Sequence, residues 1–432
     1  EQNTGASSTS FHCACWHPTE KRVVVGYTRS AIPYVRSGTL SGTSITWGSE
    51  VQVSDSGQTA NSLDMCYESG SDKVIVAWVS AQGSNALNGA VLGFSGGNIT
   101  YSGKQSIDGN SYAQNRVRIC QGRSGYVGVT CKRNNNHVQG GDWQVSNGGT
   151  SNATFPQIDS SCQSGSNYEP DVVYTGSVYA FFYMKSNQLR YKCHNTSGNQ
   201  VTGDQVLVNN ECRNVAITWD TDKNRILIAY TNMDSSDSIR ARAGSYNSNG
   251  TFTFGSETLL NWSEFDEYSP KLVYNPDRAL TMIVYDRVDY NRIMWNDLSI
   301  GGSNDRTVTS SDSGQLDGST GGYFPTLCYN SNEGQSITTI WRKTTGVLVS
   351  KVRTGSTTSI SNDNFIGFSD GTSYTNGQTA TILVTGNTST QSSLTPGSKY
   401  YVQKDGSIGT TAADPSINAG IALSSTKLLI KG

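Results

Sequence analysis

The sequence predicts an all-β protein: a seven-bladed β-propeller of four-stranded antiparallel blades, followed by a small C-terminal β domain. Three observations lead there. A short motif recurs about every fifty residues, the stretches around each copy alternate like β-strands, and no helical periodicity runs anywhere along the 432 residues.

The motif is a small or apolar residue followed by an aromatic one. It occurs as Cys15-Trp16, Cys66-Tyr67, Cys120-Gln121, Val173-Tyr174, Thr218-Trp219, Val273-Tyr274 and Cys328-Tyr329, with Gln121 the single departure at the second place. Successive copies lie 45 to 55 residues apart, a period that belongs to propellers and arrays. An open solenoid is the competing architecture, but its coils are usually shorter than this. A residue shared by every copy reads as architecture, and a residue that breaks the pattern is a candidate for function.

Unit five shows the elements in order. Val215 to Trp219 alternates and reads as a first strand. Asp220 to Asn224 is a turn, and Ile226 to Tyr230 is an apolar run of β-formers, a second strand buried on both faces. Ile239 to Tyr246 and Thr251 to Phe254 supply the third and fourth strands. The second strand recurs as Val23–Tyr27, Val74–Trp78, Val178–Tyr183, Met282–Tyr285 and Ile337–Trp341, closed by an aromatic that wedges between sheets. Unit three diverges and has Cys131 at that place. The fourth strand recurs as Ile45–Trp47, Ile99–Tyr101 and Ala153–Phe155. In the last unit, residues 355–360 echo Ser41–Ile45, so the final blade is expected to own all four strands. Residues 1–12 are then a lead-in that adds at most an outer strand. The expected division is 1–12 lead-in, 13–361 propeller and 362–432 C-terminal module.

Composition is compatible with a packed core: 35% of residues are apolar and 46 more are glycine. Charged residues make up 15% and the net charge is −2, so no basic footprint for nucleic acid exists. No apolar run reaches the length of a membrane-spanning helix. No signal peptide is evident, and a start at Glu1 points to a mature product or a fragment. Nine cysteines at irregular spacing, four of them in one column of the repeat, read as mostly free buried thiols.

Beyond the repeats, Phe365–Phe368, Thr381–Val384, Lys399–Gln403 and Leu428–Ile430 alternate between turns such as Asn376-Gly377 and Asp405-Gly406, and form the small β module. The stretch from Ser393 to Ser407 (SLTPGSKYYVQKDGS), with Asn364–Phe368, Ala419–Ser424 and Thr426–Gly432, resembles a C-terminal module of tailed-phage fibre proteins, especially those of marine phages. Some of those proteins also carry blade-like repeats similar to Asp72–Trp78. The nine cysteines and the divergent third and fourth blades depart from that family's near-identical repeats. The resemblance implies a virion adhesion or decoration protein at the virion surface or outside the cell. Its partners would be a host-surface glycan or receptor and other virion proteins, and it allows a homo-oligomer.

Chemistry-bearing motifs are few. Cys13, Cys15 and His17 share one face of a strand, but Cys15 fills the repeat column and no second ligand pair is present, so a core strand is expected and no metal. Asp220 to Asn224 lacks the glycine and glutamate of a calcium loop and reads as a turn. Asp-box turns of sialidases are absent. Glu264, Asp266 and Glu267 are carboxylates for a divergent glycosidase, but acids in a loop between blades are usually solvated. No catalytic residue, cofactor or enzyme activity is therefore expected. The blade-six cluster Asp286, Arg287, Asp289, Tyr290, Arg292 and Trp295 combines charge and aromatic rings, a composition that suits sugar binding, and is the candidate ligand site. A secreted lectin-like or matrix protein is the alternative reading.

Overall fold

The computed structural model describes the chain except residues 8–9, 56, 82–85, 102, 109–113, 134, 146–154, 166–167, 234–237, 263–268, 288–290, 303, 318–320, 332, 334, 355–366, 371–378, 380, 404–406, 413–415 and 432. No helix occurs among the described residues. The chain divides into two compact units, Glu1–Thr354 and Gly355–Gly432.

The first unit is a seven-bladed propeller of antiparallel sheets. The innermost strands are His12–His17, Ala60–Glu68, Gln114–Gln121, Asp171–Tyr174, Cys212–Asp220, Lys271–Asn275 and Gly322–Asn330. Each carries one copy of the sequence motif near its C-terminal end. The second strands are the apolar runs, and their closing aromatics Tyr27, Trp78, Tyr183, Tyr230, Tyr285 and Trp341 are buried. Seven apolar clusters result, one in each gap between neighbouring blades. A residue buried on both faces of a sheet serves two such gaps, which explains why these runs do not alternate.

Blade three shows how a departure is compensated. Cys131 leaves the gap short of an aromatic, and Trp143, fully buried on the adjacent strand Val138–Gln144, occupies it. Gly89 of blade two makes the room: a Cβ there would sit 2.5 Å from the Trp143 ring. The Gly89→Ala variant is therefore expected to destabilise the protein by about 1–3 kcal/mol through overpacking, read as a lowered thermal midpoint.

The motif aromatics staple blades together. Trp16 Nε1 of blade one donates to Ser331 Oγ of blade seven at 3.1 Å, and Tyr329 of blade seven donates to Asp277 Oδ2 of blade six at 2.5 Å. Tyr67 donates to Asp72 Oδ1 at 2.7 Å, and the same oxygen accepts from Thr19 Oγ1 of blade one. The calcium-like turn is a turn: Asp220 Oδ1 accepts the backbone N–H groups of Asp222 and Lys223.

Ring closure differs from the expectation. The outer place in blade seven is filled by the N-terminal strand Gln2–Ser7, which pairs with Val347–Arg353. The residues expected there, 355–360, lie outside the described residues. The outer edges of the blades also vary more than the repeat implies. Blade two carries both Asn98–Tyr101 and Gln105–Asp108 along its third strand, and blade five carries both Phe252–Phe254 and Thr258–Trp262. In blade three Gln157–Asp159 pairs with the third strand, and Ala153 and Thr154 of the stretch Ala153–Phe155 that the pattern selects lie outside the described residues.

The second unit holds a five-stranded sheet ordered Thr388–Thr390, Lys427–Ile430, Ile417–Ser424, Lys399–Val402, Ile408–Gly409, with a two-stranded pair Phe368–Ser369 and Ile382–Leu383. Tyr400, Val402, Ile417, Ala419 and Leu428 form its core. The Tyr400 hydroxyl accepts the Thr395 N–H at 2.9 Å, fixing the Thr395-Pro396-Gly397 turn.

Candidate functional site

Counting back along the innermost strands from the motif places two rings of side chains around the propeller axis. Four residues before the motif lie Phe11, Ser62, Arg116, Glu169, Asn214, Ser269 and Phe324. All seven line a cavity of about 580 Å³ at the end of the channel where the innermost strands begin. Two residues before the motif lie Cys13, Asp64, Arg118, Asp171, Ala216, Lys271 and Thr326, one step deeper. Strand side chains repeat on one face every second residue, so both rings lie on the face that each blade turns to the next, close enough to the axis to line the cavities there. The motif ring itself, with Cys66, Cys120, Val173 and Val273, borders a second cavity of about 820 Å³ towards the opposite end. Asp64, Arg118 and Lys271 border both cavities.

The innermost strand of each blade has one edge facing the channel, whose N–H groups need acceptors. The rings supply them. Ser62 Oγ accepts Val117 N–H at 3.1 Å, Asp64 Oδ2 accepts Ile119 N–H at 3.1 Å, and Asp171 Oδ2 accepts Ile217 N–H at 3.0 Å. Each bond joins one blade to the next.

The charges are unevenly matched. Glu169 binds Arg116 Nε at 2.9 Å through one oxygen and Arg118 through the other. Arg116 also lies over the Phe11 ring, and Arg342 over the rings of Tyr323 and Phe324. Lys271 has no hydrogen-bond or ion-pair partner among the described residues. Burial and the nearby Arg118 lower its pKa to about 8, against the opposing pull of Asp64 and Asp171. Burial raises the Asp171 carboxyl to about 6. Burial and the Arg342 charge push His12 down to about 3, so it is neutral.

The blade-six cluster is divided. Asp289 and Tyr290 lie outside the described residues, as do Glu264, Asp266 and Glu267. Arg292 is exposed and donates Nη1 to Gln315 Oε1, and Arg287 is half-buried. Trp295 is packed in the gap between blades six and seven, with the Arg353 guanidinium 3.3 Å from its ring centroid. Asp286 is 2% exposed and borders the cavity, where its two oxygens accept the N–H groups of Ser269 at 2.8 Å and Phe324 at 3.1 Å. It ties blade six to blade seven. Asp286→Ala is expected to cost about 2–4 kcal/mol, because two part-buried amides lose a charged acceptor, and to lower the thermal unfolding midpoint by several degrees.

Cys13 and Cys15 lie in the gap between blades one and two, and His17 packs on Tyr67 and Phe94. No group of three or more metal-ligating side chains occurs among the described residues. All nine cysteines are free thiols, seven of them buried.

The two rings are what the sequence reading missed. The signal was present: aligning the repeats on the motif and stepping back by two and four gives columns in which charge and aromatic residues replace the apolar residues of an inner strand.

No protein-family model and no curated protein matches the sequence. Among solved structures, the fold is similar to that of the BP39L lectin from Burkholderia pseudomallei. The TM-score is 0.62 at 10% identity, covering 81% of this chain and 97% of that one. Weaker likenesses include the periplasmic gluconolactonase PpgL of Pseudomonas aeruginosa, with a TM-score of 0.48 at 11% identity over 72% of this chain and 86% of that one. A mutant of AofleA from Arthrobotrys oligospora has a TM-score of 0.45 at 11% identity over 71% and 88%. At such identities the likeness concerns the fold alone.

Proposed function

We propose that this chain is a non-enzymatic adhesion protein whose propeller binds saccharide at the polar mouth of its channel. Its C-terminal unit would join it to a virion. The observation that carries the binding site is the pair of stacked rings, in which an exposed aromatic, Phe324, shares a cavity of about 580 Å³ with hydrogen-bonding and charged groups. A saccharide presents an apolar ring face and a hydroxyl edge, and such a site matches both. The likeness in fold to a lectin supports this reading. The attachment role rests on the resemblance of Ser393–Ser407 and its flanking segments to phage-fibre modules.

Two of the three carboxylates at the mouth, Glu169 and Asp286, favour binding over hydrolysis. Glu169 is held by two arginines and Asp286 by two backbone amides, whereas glycoside hydrolysis needs one carboxyl to give a proton and its partner to attack or activate water. A glycan array probed with the whole protein tests the reading. Binding to a defined group of glycans, with no release of reducing sugar on prolonged incubation, is expected. An array without signal, or turnover of a bound glycan, sinks it. Detection of the chain by mass spectrometry in purified phage particles tests the attachment role, which fails if the chain is found only among soluble secreted proteins.

A further inference from the structure

We infer that the channel mouth selects an acidic saccharide residue, its ring stacked on the open face of Phe324 and its carboxylate bound by the Lys271 ammonium. This rests on the saccharide-binding reading and adds the class of ligand.

Phe324 is 45% exposed and holds a φ of +53°, in the left-handed region. A bulky side chain rarely adopts that conformation, and a following proline, here Pro325, favours extended backbone instead. The conformation is fixed from below by the hydrogen bond from its N–H to buried Asp286. Strain of this kind persists where surrounding structure enforces it, and it gathers at binding sites. Here it presents an aromatic ring at a cavity mouth, where solvent exposure alone would have favoured burying it.

The second half of the site is the unmatched cation. Of the four cationic groups at the mouth, Arg116 and Arg118 are bound by Glu169, and Arg342 lies 5.1 Å from the Phe324 ring centroid. Lys271 alone has no hydrogen-bonding or ion-pair partner among the described residues. The neighbouring acids Asp64 and Asp171 are each engaged by a backbone amide of the next blade. Blade six therefore presents a donor at the depth where blades two and four present acceptors.

Phe324 and Lys271 line the same cavity of about 580 Å³. One unmatched cation among Asp64, Glu169, Asp171 and Asp286 suits a single negative charge and disfavours a polyanion.

The test is calorimetric titration of the whole protein with methyl galacturonoside and sialyllactose, and with methyl galactoside and lactose as their neutral counterparts. At least one acidic ligand is expected to bind ten-fold or more tightly than its neutral counterpart. Lys271→Met should abolish that difference, and Phe324→Ala should weaken acidic and neutral ligands together. Equal affinity for both members of each pair, or a difference that survives Lys271→Met, overturns the acidic preference while leaving saccharide binding standing. No binding to any of the four, together with a silent glycan array, removes both.

Discussion

A variant lacking Glu1–Ser7 is expected to unfold on the order of 10 °C below the full chain, with loss of the seam between blades seven and one. The removed strand pairs with Val347–Arg353 at the outer edge of blade seven. Thr4 and Ala6 are buried, and Ala6 belongs to the same apolar cluster as Trp16, Tyr27, Ile340 and Leu348. The strand also reaches blade one: Arg36 Nη1 donates to Thr4 O at 2.5 Å and Ile45 N–H to Gln2 Oε1 at 2.7 Å. Counting these with the ladder and the bond from Thr4 Oγ1 to Leu348 O, at about 1 kcal/mol each, gives roughly 5 kcal/mol, or on the order of 10 °C for a domain of a few hundred residues. A peptide of residues 1–7 supplied in excess should recover part of the loss. An unchanged midpoint would mean that residues 355–360 take the outer place, as chain order alone suggests.

That disagreement shows what a repeat can and cannot reveal. The inner and second strands are legible because their neighbours are the same in every blade: each faces a sheet on both sides, and only apolar or aromatic residues fit. Outer strands face solvent, and their position depends on pairing with whatever lies alongside. Gln2–Ser7, sequence QNTGAS, has no strand signature of its own, and Gln157–Asp159 is three residues long. The binding rings were hidden for a related reason. The channel imposes a position and an orientation, but the residue type is free, so Phe11, Ser62, Arg116 and Glu169 share a column without sharing chemistry. The blade-six cluster attracted attention through local density of charge and aromatic rings. Density along the chain does not separate Asp286, which anchors two amides, or Trp295, which lies beneath Arg353, from a free binding surface. Asp286 nonetheless belongs to the site, as the support that holds Phe324 in place.

Lys271→Met is expected to make the protein more stable at pH 7 by about 1–2 kcal/mol while removing its preference for acidic ligands. The ammonium is held at a pKa of about 8, below the ordinary lysine value of 10.5, because it is buried near Arg118 and, more weakly, Arg116. Asp64 and Asp171 pull in the opposite direction, and His12 across the channel is neutral. A group whose folded pKa is depressed disfavours folding wherever it is charged. Its contribution improves as pH rises from about 8 towards the unfolded value, since the folded state then binds fewer protons than the unfolded one. Lowering a pKa by one pH unit on folding costs about 1.4 kcal/mol while the group is charged. Water in the open cavity and the lost attraction to Asp64 and Asp171 reduce the gain below the full figure. The thermal midpoint of the wild-type protein should therefore approach that of the variant between pH 8 and 10. Asp171 does not imitate this behaviour, because its raised carboxyl, at about 6, makes stability fall as pH rises from about 4 to 6 and leaves the range above 8 flat. A Lys271→Met variant less stable than wild type at pH 7 would identify Lys271 as a support of the fold. A variant that is more stable but no longer distinguishes acidic from neutral saccharide identifies a residue kept at the expense of stability, which is expected of a binding group and not of a structural one.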